Sequence, residues 1–279
     1  QRLQQEMLAN VERIQSISDE QFQQQYRNLS SAIKVLSRSV SPQAFDKTTG
    51  SYGEFRLLQG VPEEYWGTRS RKKSQIEAVV WSILVDKVFW NPFVAFGTAD
   101  PVLAALAAVW TDTFGSYHYH EWPIPSASSE TWRYITFEHL FRSVPRDIFA
   151  GEDSDSNTAG GKKSVVDAQY AVLFQLCQVF QGLEPDYDTE RLIPIVHKAF
   201  ALAVDMFSQR CRFQIMWPQL GEEYLFGETT GLTSMPDSDE VQSGRVVFIV
   251  NPGLTKWGDA HGKCLDQRLD IVPALVFIE

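Results

Sequence analysis

The apolar residues of this chain change their spacing once, near Gln209, and that change limits what the chain can fold into. Before it they recur at steps of three and four, the period of helices with a buried face; after it they alternate, the period of strands. Cys211, Phe213, Ile215 and Trp217 fall on one side of this alternation, and Arg210, Arg212, Gln214 and Met216 on the other. The expected architecture is mainly α: a bundle of about seven helices with a small, mostly antiparallel C-terminal β-sheet of about three strands packed on it.

The helical part carries its own punctuation. Leu3, Met7, Val11 and Ile14 sit at coiled-coil spacing amid Gln, Glu and Arg, a stripe of only about two heptads. It reads as the end of a longer coil and as a surface for a protein partner or for self-association. Ser18-Asp19-Glu20-Gln21 forms a capping box that starts a helix bearing Phe22, Tyr26, Leu29, Ile33, Leu36 and Val40. Residues 1–40 thus form an amphipathic unit, residues 41–75 an irregular connector, and residues 76–279 a helical domain whose β element begins near residue 210. In that domain Ile76 to Phe89 is apolar nearly all round, which predicts a central helix. Asp100-Pro101 opens the next helix, and Ser128 or Ser129 the one after, with Trp132, Ile135, Leu140 and Phe141 as its apolar set. Val166, Tyr170, Leu173, Phe174, Cys177 and Phe180 predict the packed face of a further helix. Pro194 predicts that the last helix kinks or begins late.

After Met216 the polar, Gly-rich stretch 218–244 reads as an exposed excursion, 245–250 as a strand, Asn251-Pro252-Gly253 as a turn, and 269–278 as a strand with Pro273 at an edge or bulge. The run Gly244-Arg245-Val246-Val247-Phe248-Ile249-Val250-Asn251-Pro252-Gly253-Leu254-Thr255-Lys256-Trp257-Gly258 and the strand after it, about residues 244–278, resemble a C-terminal domain of uncharacterised coiled-coil proteins of filamentous fungi. That resemblance implies an intracellular interaction module and supplies no catalytic residue.

Composition narrows the function. With 25 basic and 35 acidic residues among 279 the formal charge is −10, which opposes general affinity for nucleic acid or an anionic membrane. No apolar run approaches the roughly 18 residues that span a bilayer. Three widely spaced cysteines, Cys177, Cys211 and Cys264, fit a reducing compartment, so a soluble cytoplasmic setting is expected.

Two segments could carry chemistry. His118, His120 and Glu121 lie close enough to chelate a metal for a hydrolase, although no second motif supplies a further ligand at a recognisable spacing. Arg69, Arg71, Lys72 and Lys73 could bind a polyanion such as a phosphoinositide or RNA, or form a solvated connector. Gly160-Gly161-Lys162-Lys163-Ser164 fails the phosphate-loop pattern because Lys163 stands where Ser or Thr is needed. No cofactor is expected. The favoured expectation is a noncatalytic scaffold or adaptor domain that binds protein through residues 1–40, with the metal-dependent hydrolase and the polyanion binder as the alternatives.

Overall fold

Ser18 starts the first helix as its spacing predicts. In the computed structural model, which describes residues 16–41, 54–114, 125–151, 160–227, 231–235 and 242–279, helix α1 spans Asp19–Ser39. The Ser18 hydroxyl accepts from the Gln21 N–H at 3.2 Å, and Gln21 Oε1 accepts from the Ser18 N–H at 3.0 Å. Phe22, Tyr26, Leu29, Ile33 and Leu36 are all buried. Phe22 lies 4.0 Å from Phe213, and Tyr26 stacks on Trp81 at 5.2 Å while its hydroxyl donates to the Pro252 carbonyl. The apolar face of α1 is therefore occupied within the chain, joining the helices to the sheets in one core.

Helix α2 (Arg69–Leu84) begins within the stretch expected to be a connector, because Thr68 caps it by accepting from the Arg71 N–H at 3.3 Å. Ahead of it the 3₁₀ turns Arg56–Leu58 and Glu63–Trp66 bury Leu57, Leu58 and Trp66. Almost every residue of α2 from Ile76 onward is buried, as its uniform apolarity predicts, and it runs into a π-helical turn, Val85–Phe89. Asp100 caps α3 (Pro101–Phe114), accepting from Val102 at 2.8 Å and Leu103 at 3.4 Å. Ser126 caps α4 (Ala127–Leu140). Then come α5 (Gly161–Leu183) and α6 (Ile193–Ser208). Pro194 sits in the first turn of α6 behind the 3₁₀ turn Thr189–Leu192, so the late start is what occurs. The described residues form six α-helices where about seven were expected.

The C-terminal part differs more. Instead of one sheet of about three strands there are two, ordered β1-β5-β6 and β2-β4-β7-β3. Their strands are β1 (Arg212–Met216), β2 (Glu223–Leu225), β3 (Leu232–Ser234), β4 (Ser243–Asn251), β5 (Gly253–Trp257), β6 (Arg268–Val272) and β7 (Ala274–Ile278). The second sheet is mixed, because β3 runs parallel to β7. Two prolines explain the division. Pro252 separates β4 from β5 and Pro273 separates β6 from β7, and at each the chain leaves one sheet and enters the other. A residue without an N–H cannot extend a ladder, so both breaks fall where the ladder must end. The two corners touch: a Cβ on Gly253 would lie 2.9 Å from the Val272 carbonyl oxygen and 3.0 Å from the Ala274 nitrogen. Among the described residues no helix is long and apolar enough to cross a membrane.

Candidate functional site

Of the candidate site residues, only Arg69, Arg71, Lys72 and Lys73 lie among the described residues. Leu3, Met7, Val11 and Ile14 lie outside the described residues, as do His118, His120 and Glu121. Among the described residues no three His, Cys, Asp or Glu side chains gather as metal ligands. Arg69, Arg71, Lys72 and Lys73 fill the first turn of α2, where positive charge opposes the helix dipole. Arg71 is engaged with the fold, its guanidinium 4.5 Å from the centre of the Phe277 ring.

The densest polar geometry is one that sequence reasoning missed. Glu130 on α4, Arg133 one turn later and Arg212 on β1 are all buried. Glu130 Oε2 accepts from Arg133 Nε at 3.0 Å and Nη2 at 2.8 Å, while Oε1 accepts from Arg212 Nε at 2.9 Å and Nη2 at 2.5 Å. The Ser129 hydroxyl adds a bond to Oε1 at 2.9 Å. Burial alone would raise the Glu130 pKa, but the Arg133 and Arg212 guanidiniums hold the carboxyl below its ordinary value. Arg133 also donates to the Phe207 carbonyl, at the C-terminal end of α6, and to the Cys211 carbonyl at 2.8 Å. Carbonyls at a helix end have no partner within the helix, so Arg133 caps α6 as well as pairing with Glu130.

This network ties α4, α6 and β1 together. Both carboxylate oxygens already accept from guanidinium groups, so Glu130 is a poor proton acceptor. Beside it, the cleft between the π-turn, Trp110 and β1 has about 30 Å³ of free space, room for one or two waters. Glu130 also borders a depression of about 220 Å³ lined by Thr131, Tyr134, Arg210 and His261, with the Arg210 guanidinium 4.7 Å from the Tyr134 ring centre. The sequence placed Arg212 on the same side of its strand as Arg210 and Gln214, away from Cys211 and Phe213. The missing signal is long-range, since Glu130 and Arg212 are 82 positions apart.

An exposed aromatic surface lies on α5. The apolar set predicted to be its packed face is split. Val165, Gln169, Val172, Leu176, Phe180 and Leu183 face the core, whereas Tyr170 is 66% exposed and Phe174 64% exposed. Val166, Leu173 and Cys177 are half-buried on the flank. The helix thus has two apolar faces, and hydrophobic periodicity fits either; packing against α6 and the Val94–Phe96 turn selects the one centred on Val172 and Leu176. Cys177, expected to be buried, is half-buried for the same reason.

The three thiols differ in exposure. Burial pushes the Cys211 thiol up to about 11, which keeps it protonated at neutral pH. Cys264 is exposed on a loop, with φ 53°. Comparison of the chain with protein-family models, curated proteins and solved structures finds no match.

Proposed function

We propose that this chain is a noncatalytic protein-interaction domain, a scaffold or adaptor working inside the cell, and that α5 carries its contact surface. One observation carries this reading: two large aromatic side chains, Tyr170 and Phe174, stand about two-thirds exposed one turn apart on a helix whose opposite face is fully packed. Tyr and Phe are enriched at interfaces because a rigid ring brings much apolar area at little entropic cost. Such a pair, four residues apart, is the usual spacing of anchors that enter a groove or pair with another helix. The stripe Leu3, Met7, Val11 and Ile14 is a second proposed contact, and the three free cysteines support a reducing compartment.

Photo-crosslinking of the full chain in cells tests the reading. Benzoylphenylalanine at position 174 is expected to yield a discrete crosslinked species, while the same group at Val35, which is 67% exposed on α1, yields none. Equal, diffuse labelling at both positions refutes the assignment of the contact to α5.

A further inference from the structure

We infer that the partner of the α5 face is a second copy of this chain, docked antiparallel through α5; this rests on the proposed interaction role and names its occupant. The exposed stripe reads Lys163, Asp167, Tyr170, Phe174, Gln178 and Gln181. These positions are almost symmetric about residue 172. A two-fold axis there sets Tyr170 of each copy opposite Phe174 of the other, and Lys163 opposite Gln181, with Glu184 one turn further on. Self-complementarity of one patch is the requirement for a closed two-fold dimer.

Charge fixes the direction. Lys162 and Lys163 occupy the N-terminal turn of α5, and Glu184 stands at its C-terminal cap with Asp186 just beyond. Each end therefore carries the sign that its own helix dipole disfavours. Glu184 accepts from the Ser41 N–H through Oε1 at 2.8 Å, and Lys163 and Asp186 are exposed. A parallel copy would set Lys against Lys and acid against acid. An antiparallel copy sets Lys163 beside Glu184 and each positive helix end beside a negative one, over a span of about 27 Å between residues 163 and 181.

The rings supply part of the area such a dimer needs. The exposed two-thirds of four rings, at roughly 150–250 Å² per aromatic side chain, amounts to about 400–650 Å². That is a third to a half of the roughly 1,200 Å² at which stable interfaces begin. Val166, Ala171, Cys177 and the stems of Lys163, Gln178 and Gln181 border the rings and enlarge the patch.

Sedimentation equilibrium on the full chain tests the inference, with urea melts of each variant to confirm an intact fold. The wild type should form a dimer. Phe174→Glu should raise its dissociation constant roughly a hundredfold or more, because the substitution acts twice per dimer. Val35→Glu should leave it unchanged. Lys163→Glu and Glu184→Lys should each weaken the dimer, and the double variant K163E/E184K should regain affinity over either single change. A dimer indifferent to F174E, or a double variant weaker than both singles, overturns the antiparallel arrangement. A monomer at every concentration overturns self-pairing, and a crosslink from position 174 to a different protein would then leave the interaction role standing.

Discussion

Glu130→Gln should destabilise this protein more than any other single change in its buried network. The substitution keeps the shape but removes the carboxylate that bridges Arg133 and Arg212, which are 2% and 6% exposed. Four guanidinium bonds end on that carboxylate, and one amide oxygen cannot replace them. Two buried guanidiniums would then lose the carboxylate they share, and breaking a buried pair by removing one partner costs about 3–5 kcal/mol. The neighbours rank below it for stated reasons. Arg212→Met leaves the Glu130–Arg133 pair neutral and should cost least. Arg133→Met leaves the Glu130–Arg212 pair but orphans the Phe207 and Cys211 carbonyls, adding about 1–3 kcal/mol. Urea denaturation at neutral pH, followed by tryptophan fluorescence, measures all three. The pH dependence has a definite sign. Because the folded state holds the Glu130 carboxyl below its ordinary value of 4.5, its contribution is present above that value and is lost as pH falls through the folded one. E130Q should lack this acid-side loss. A wild-type-like E130Q, within about 1 kcal/mol, or an R212M that costs more than E130Q, refutes the account.

Three further outcomes are expected. Burial raises the pKa of Glu77, against a bond from the Ser37 hydroxyl at 3.1 Å, so folding favours its protonated form and stability declines as pH rises from 4.5 through the raised value. Glu77→Gln should therefore be more stable than wild type at neutral pH, with the advantage vanishing below pH 4.5 in the same urea assay. Gly253→Ala should cost about 1–3 kcal/mol, because its methyl would press on the backbone of the Pro273 corner; a neutral melting temperature would show that the corners are looser than described. A thiol reagent at neutral pH should modify Cys264 first and Cys177 more slowly, leaving Cys211 untouched until denaturant is added; early reaction at Cys211 would contradict its burial.

Much of the helical half was legible because its signals are local. The Ser18 capping box, the Asp100-Pro101 start and the Pro194 delay each depend on a few neighbouring residues, and each appears where the sequence places it. The stripe on α1 was legible too, since only one of its faces is apolar. Helix α5 was not, because Val165, Val172 and Leu176 compete with Val166, Tyr170 and Phe174 and only tertiary packing decides between the two sets. The β part was legible in its period but not in its topology. Strands β2 and β3, three residues each, are too short to show alternation. Whether a proline ends a strand or carries it into another sheet depends on residues far along the chain. The buried Glu130 network was invisible for a related reason. Charged residues are buried when they find partners, and a linear sequence does not record who those partners are.

The paired corners at Pro252 and Pro273 have a mechanical consequence. Two ribbons, β4–β5 and β6–β7, each run through both sheets, so neither sheet is a separable piece of cloth. Peeling β5 or β6 away tugs on β4 or β7 across a prolyl crease, and the Tyr26 hydroxyl clasps one crease to the first helix. The C-terminal β part should therefore come apart in one tear, with only the short outer strands β2 and β3 able to fray ahead of it.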